Sequence, residues 1–459
     1  MTVAAVRPAP GPPRPYHFPA FTGTRLASGV QLLVAPVRRL PVCTLSVVID
    51  AGAELDPQGL EGCALLTARA MEEGSRRYEG LDFTDRLERI GAALSATADW
   101  DSASFSMQVM AERLPAALEL LAGVIREPAF PASEIERLRE ERLSEIAQIR
   151  SEPRGLASET FSRVVYDAAS RYATPVGGSE AAVRALTRDD LVRHHDSFFT
   201  PLRTAVIIAG DVTPDEAGKL VEDAFRGWDV EVAPSRPRRG EPATRDDRVF
   251  ILDREDAPQS ELRVGHPGVP RTHPDHFAIV LLNAILGGLF SSRINLNLRE
   301  EHAYTYGAHS AFEWRRGPGP FTVRTAVESG VTAAAVAEIL KEIDKLRQEP
   351  VTNAELSLAR DYLAGVFPVR FETSLAIAAA LAQVVTYELP SDYYDTYRDR
   401  INQVSAAEIL RVARAQLQPS RLSVVVVGDA RQIREPLRGL NMGEPAEVQL
   451  EGAVQPASS

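Results

Sequence analysis

The chain of 459 residues is short of several things, and each shortage excludes a class of function. It has two cysteines, Cys43 and Cys63, twenty residues apart in apolar surroundings. That spacing fits neither a metal-binding Cys cluster nor a disulfide framework, so both read as buried thiols in a reducing compartment. No continuous apolar run of about 18 residues occurs, so no membrane span is expected. The N-terminus, MTVAAVRPAPGPPRPYHFP, is broken by prolines and lacks the apolar stretch of a secretory signal. The expected location is the cytoplasm. Positive charge is in deficit, with a formal net charge of −12. Such a chain is a poor partner for nucleic acid or an anionic membrane, and weakly favours cationic peptides. Histidine is scarce too, at eight residues. His194 and His195 are adjacent and point to different sides of a helix, while His273 and His276 flank Pro274 at a helix start. None has a carboxylate three or four residues along an apolar helix, so the histidines supply no metal site of their own. GVTAAAV and LGGLFSS lack the lysine or third glycine of a phosphate loop.

What is present is ordinary soluble composition, 44% hydrophobic and 25% charged, over a length that calls for at least two domains. The strongest organisational signal is an internal repeat. RALTRDDLVRHHDSFFTPLRTAVIIAGDV, from Arg184, matches NQVSAAEILRVARAQLQPSRLSVVVVGDA, from Asn402, in length and pattern. Each is an N-capped helix, a proline turn and a β-branched strand ending in Gly-Asp. Earlier in each half, LPAALELLAGVIREPAFPASEIERLREERL recurs as TAAAVAEILKEIDKLRQEPVTNAELSLARDYL. LSATAD and SASFSMQVM alternate polar with small or apolar residues, as an antiparallel strand pair does. The expected fold class is α+β, with two homologous repeats, each a mostly antiparallel β-sheet covered on one face by helices. The expected boundaries are a Pro-rich arm over 1–20, a first repeat over 21–230, a linker over 231–247, a second repeat over 248–436 and a loose tail over 437–459.

One stretch carries chemistry. Leu286 to Gly307 reads LGGLFSSRINLNLREEHAYTYG. The pair Gly287-Gly288 separates two helical runs, and Ser291 and Ser292 are placed to cap the second. Arg299 then sits near a helix end. Tyr306, seven residues on, opens a strand-like run. A guanidinium fork and a phenol so placed can converge on one peptide carbonyl.

From about Gly23 to Asp429 the chain resembles the M16 peptidases, the insulinase-like pitrilysin and processing-peptidase family. Active members carry His-x-x-Glu-His on the first helix of the first repeat, where the histidines bind zinc and the glutamate is general base. Laid on that pattern without a gap, DAGAELDPQGLEGCALLTARAMEEGS puts Leu65, Leu66, Thr67, Ala68 and Arg69 at the five motif positions. Both histidines and the base are gone. Glu145, 76 residues beyond Arg69, stands at the far ligand position. One carboxylate does not hold zinc, so no metal and no catalytic residue are expected in this chain. Arg69 places a cation near the vacated position, where pairing with Glu145 is expected.

The resemblance gives Arg299 and Tyr306 the role of the family's second-repeat arginine and tyrosine, which hold the substrate backbone near the scissile bond. Tyr304 is the stand-in should Tyr306 be structural, if the strand has begun there and the two share a face. Two-subunit members divide the work: one subunit keeps zinc, and the other keeps either this pair or a long glycine-rich loop. The chain is similar to the arginine–tyrosine type. The implied function is the non-catalytic subunit of a heterodimeric M16B-type zinc endopeptidase. Zinc belongs to the partner, the substrate is a peptide or unfolded polypeptide, and a substrate strand adds to a sheet edge in the chamber wall. A structural core subunit of a larger assembly and a homodimeric peptide-binding protein are the alternatives.

Overall fold

A computed structural model describes residues 15–228, 241–243 and 248–449. The first sheet contains β1 (Thr22–Arg25), β2 (Gln31–Pro36), β3 (Val42–Ile49), β4 (Ser95–Ala98), β5 (Ala103–Met110) and β6 (Thr204–Gly210). Their order is β1-β2-β6-β3-β5-β4, and only the β2–β6 pairing is parallel. The second sheet contains β7 (Val249–Asp253), β8 (Gln259–Pro267), β9 (Ala308–Phe312), β10 (Pro320–Glu328), β11 (Ser423–Gly428) and β12 (Ala446–Glu447). Its order is β12-β7-β11-β8-β10-β9, with β7 parallel to both β11 and β12. The two-repeat α+β reading therefore describes the molecule. The last repeated segment shows why. Capping boxes at Thr187/Asp190 and Ser405/Glu408 start equivalent helices, and turns at Pro201–Arg203 and Pro419–Arg421 lead into β6 and β11.

One face of each sheet packs on helices of its own repeat. Leu32, Val34, Leu45 and Val47 meet Leu66, Met71, Leu118 and Leu121 in the first core. The other face is covered by a helix of the other repeat. Leu33, Ala35, Val48, Ile207 and Ala209 lie under Ile377, Ala378, Ala380 and Leu381 of the Ser374–Thr386 helix. In return, the Pro153–Val165 helix lays Leu156, Ala157, Phe161 and Val164 on Phe250, Leu252, Val425 and Val427. The two repeats thus exchange a helix. The sequence reading counted only each repeat's own helical layer. Strands such as TAVIIAG and SVVVVG are buried along their whole length, and apolar side chains on both faces need cover on both.

A hairpin from the second repeat adds a polar tie. Between β9 and β10, the Arg316 N–H donates to both Asp101 carboxylate oxygens at 3.1 Å, and Arg316 Nε donates to the Thr386 carbonyl at 3.0 Å. The Arg316 guanidinium also pairs with Asp50. Tyr166 Oη donates to the Pro318 carbonyl at 2.8 Å.

Several expectations need correction. The described end of the N-terminal arm is anchored. The Phe18 ring stacks on Tyr394 at 4.8 Å and its N–H donates to Asp395 Oδ1 at 3.1 Å, which proline content could not reveal. The loose tail is packed as far as it is described: Met442, Ala446 and Val448 are buried, and β12 pairs with β7. Of the linker over 231–247, only residues 241–243 are described, where Pro242 bridges to Tyr166; the rest lies outside the described residues. The helical run His276–Glu301 is long and apolar enough to cross a membrane by length and composition. Its Ile279, Leu281, Leu282 and Ile285 are instead buried in the second core.

The exchanged helices carry a measurable load. Leu381→Ala, at a fully buried position, is expected to lower unfolding stability by about 2–5 kcal/mol, read from the denaturant midpoint. A shift below about 1 kcal/mol contradicts the packing described.

Candidate functional site

The five positions that the resemblance aligns with the metal motif lie on the Cys63–Met71 helix. A buried ion pair sets where that helix begins. Asp56 accepts from the Gly62 N–H through Oδ2 and from the Ala64 N–H through Oδ1, both at 2.8 Å. Arg171 donates to Asp56 Oδ2 from Nε at 3.1 Å and Nη2 at 2.8 Å, and both side chains are fully buried. Further bonds from Arg171 to the carbonyls of Thr174, Pro175 and Val176 satisfy the guanidinium. Gly62 has φ +103°, and a Cβ there would stand 2.9 Å from the Gly177 carbonyl oxygen, so glycine is required on both counts.

From this start the helix aims Leu65, Leu66, Thr67 and Ala68 into the interior, all buried. Arg69 faces the Ala132–Ser151 helix, where its Nη1 donates to Glu145 Oε1 at 2.9 Å. Arg142 Nη1 donates to Glu145 Oε2 at 2.8 Å, and Arg142 Nε donates to the Gly177 carbonyl at 2.9 Å. Both carboxylate oxygens are thus taken by guanidinium donors. Burial raises the Glu145 pKa, but the hydrogen bonds from Arg142 and Arg69 outweigh it and hold the group below the ordinary glutamate range.

These residues do not fit zinc. Leu65 and Ala68 have no donor atoms, Arg69 brings a positive charge, and Glu145 is occupied. Among the described residues, no group of three or more His, Cys, Asp or Glu side chains could hold a metal ion. Neither thiol substitutes. Burial pushes Cys63 well above the thiolate range and Cys43 up to about 11. The histidine pair is spent on structure: His194 Nε2 lies 3.3 Å from the Ala51 carbonyl and His195 Nε2 lies 2.9 Å from the Ile125 carbonyl. Sequence reasoning missed Arg142, although its spacing of three from Glu145 on a helix was a usable signal. Asp56 and Arg171 are 115 residues apart and gave none.

The second locus starts at Gly287, where a Cβ would come within 2.5 Å of Ser310 Oγ and 2.6 Å of its N; glycine lets the turn close on β9. The expected serine capping is absent. Ser292 holds the N-cap position of Arg293–Asn295 without a side-chain cap bond, and its buried hydroxyl has no hydrogen-bond partner among the described residues. Asn295 ties this segment instead. Its Nδ2 donates to the Phe290 carbonyl at 2.7 Å and its Oδ1 accepts from the Ala308 N–H at 3.0 Å.

Arg299 lies in the π-helical turn Leu296–Glu301, with its guanidinium 4.6 Å above the exposed Phe290 ring. Tyr306 does not open the strand. β9 begins at Ala308, because the Thr305 hydroxyl closes a local turn, accepting from the Gly307 N–H at 3.1 Å. Tyr304 is therefore not on a shared strand face with Tyr306. Its ring stacks on His302 at 4.9 Å, and Ala303 before it is left-handed at φ +54°. Tyr306 is 95% exposed, and among the described residues no hydrogen bond joins it to Arg299. It rims a cleft of ≈ 630 Å³ whose walls include Arg154, Ser158, Glu261, Arg263, His309 and Arg324.

Comparison with known proteins gives the family and the fold. The family described as Insulinase (Peptidase family M16) matches residues 36–174, and the Peptidase M16 inactive domain matches residues 185–363. An uncharacterised zinc protease of Streptomyces coelicolor is 23% identical over 414 residues, covering 88% of this chain and 89% of that protein. The mitochondrial-processing peptidase subunit beta of Homo sapiens is 23% identical over 435 residues, covering 91% and 86%. A peptidase M16 inactive domain from Pseudomonas fluorescens superposes with a TM-score of 0.83 at 22% identity, covering 89% of this chain and 98% of that one. A protease from Helicobacter pylori superposes with a TM-score of 0.83 at 18% identity, covering 90% and 100%. The structural likenesses establish the fold.

The Arg69–Glu145 pair has a direct signature. A carboxylate held below its ordinary pKa stabilises the fold above the unfolded value, about 4.3, and that contribution fades as pH falls through the lower folded value. With Glu145 partly exposed, the effect is at most about 1 kcal/mol. Arg69→Leu is expected to raise the Glu145 titration midpoint in carboxyl-detected NMR. A midpoint that stays in place refutes the pairing.

Proposed function

Because the chain belongs to the M16 peptidase family, we propose that it is the zinc-less, non-catalytic subunit of a heterodimeric zinc endopeptidase of that family. The observation that carries this reading is the Arg69–Glu145 ion pair. The fifth motif position supplies a cation of its own to the one remaining carboxylate, so the place of a metal is filled by a side chain. Such a chain is inactive alone, and zinc is expected in the partner subunit.

The residues left to act are Arg299 and Tyr306. Arginine presents a rigid fork of charged donors and tyrosine one hydroxyl. Aimed at a peptide carbonyl, these groups fix the backbone and stabilise negative charge as it develops on the oxygen. The near-complete exposure of Tyr306 in the single chain suits an element that meets its substrate in a chamber closed by a second chain. A substrate in extended form is expected to add to a sheet edge, of which β4 lies beside the motif helix and β9 follows Tyr306. That mode selects short or unfolded peptides.

The purified chain is expected to bind no stoichiometric zinc and to cleave no peptide. With a zinc-carrying partner, Arg299→Ala or Tyr306→Phe is expected to reduce kcat/KM about 10²–10³-fold with zinc content unchanged. Chelator-sensitive hydrolysis by the lone chain overturns the reading. Full turnover by both variants points instead to a structural core subunit or a homodimeric peptide-binding protein.

A further inference from the structure

We propose that the cleft rimmed by Tyr306 is a carboxylate subsite, taking an acidic side chain or the C-terminal carboxylate of the peptide held beside it. The inference rests on the substrate-holding role given to Arg299 and Tyr306 and adds the class of substrate.

The first observation is a row of basic side chains. In the registers of β8, β10 and β9, Arg324 lies directly opposite Arg263 on one side and His309 on the other. Like charges directly opposite each other destabilise a sheet, so the Arg263–Arg324 pair is a local cost unless each guanidinium is answered elsewhere. Arg263 has a structural use. It is buried, and it donates to Glu261 at 2.7 Å, the Arg154 carbonyl at 2.9 Å and Ser158 Oγ at 3.2 Å, fastening the exchanged Pro153–Val165 helix. Arg324 is tied to Glu313 on the neighbouring hairpin, and both it and His309 line the cleft.

The second observation is the charge balance. Three arginines, Arg154, Arg263 and Arg324, face one carboxylate, Glu261. That carboxylate is already bonded to Arg263. Arg154 Nε stands 3.9 Å from it, and 82% of the Arg154 side chain is exposed. Arg324 is paired with Glu313 from beyond the cleft. The surplus positive charge therefore sits on Arg154, at the mouth. In a chain of net charge −12 this is a local reversal of sign, and a concave wall focuses it on whatever enters. Whole-chain charge favours basic peptides; the cleft favours an acidic group at the position next to Tyr306.

The experiment uses the complex with a zinc-carrying subunit and unstructured peptides that differ only in a run of glutamates or lysines. Each is made as free acid and as C-terminal amide. The glutamate peptides are expected to be preferred about tenfold in kcat/KM at low salt, mainly through KM, with the preference shrinking as salt rises. Arg154→Glu is expected to abolish or invert it, and Arg154→Gln to give an intermediate ratio. A kcat/KM that falls for both peptides on amidation assigns the subsite to the terminal carboxylate; a glutamate preference that amidation leaves unchanged assigns acidic side chains. Equal turnover of glutamate and lysine peptides with no loss on amidation, or preferences unchanged in Arg154→Glu, while Arg299→Ala still cripples turnover, overturns the subsite and leaves the zinc-less-subunit reading standing. If Arg299→Ala is also without effect, both fall.

Discussion

The exchange of helices between the repeats is the constraint on which everything else depends. Ile377 and Leu381 fill the outer face of the first sheet, and Leu156 and Phe161 that of the second. Fully burying one such side chain is worth about 1.5–3 kcal/mol, so neither sheet is complete without the other repeat. The arrangement also fixes geometry. Arg154 sits on a first-repeat helix yet lines a cleft built on second-repeat strands, and it does so because that helix is lodged there. The Arg316 hairpin, bonded to Asp101 and paired with Asp50 of the first repeat, adds a polar tie between the repeats.

Two carboxylates of this framework have opposite tendencies. Glu145, between Arg69 and Arg142, is easier to ionise than a free glutamate. Asp101 is pushed up to about 6, chiefly by burial, although it accepts from the Arg316 N–H. Its raised pKa favours the fold while protonated, an advantage lost as pH rises through about 6. The inter-repeat tie and the Arg69–Glu145 pair therefore respond in opposite senses to acidification. One is a loop aspartate with a backbone donor, the other a helix glutamate with two charged donors.

How much of this was legible in the sequence follows from the range of the interactions. The repeat, the α+β class and the strands β4, β5, β6 and β11 were written in local patterns: capping boxes, proline turns and β-branched runs. The positions Leu65 to Arg69 came from the family resemblance, and the structure carries them on one helix. What escaped was set by partners distant along the chain. Phe18 is held by Tyr394 and Asp395, and Asp56 by Arg171. Nothing local in RYATP marks Arg171 for burial. The stretch before β9 failed for the opposite reason: Thr305 made a turn of its own, and that local choice moved Tyr306 out of the strand the pattern had promised.

The buried Asp56–Arg171 pair and Gly62 hold the motif helix in one place, so whatever stands at positions 65 to 69 must suit that place. Two histidines and a base left without an ion would be buried polar groups without partners, at a cost of about 1–3 kcal/mol each. Leucine and alanine remove that cost by packing, and Arg69 removes the remaining one by meeting Glu145. Glu145 alone would be a half-buried charge beside Arg142 with one oxygen unanswered. The substitutions work as a set, since Leu65 and Ala68 dry the position and Arg69 balances it. A helix filled in this way packs against the Ala132–Ser151 helix, with the Arg69–Glu145 bond between them.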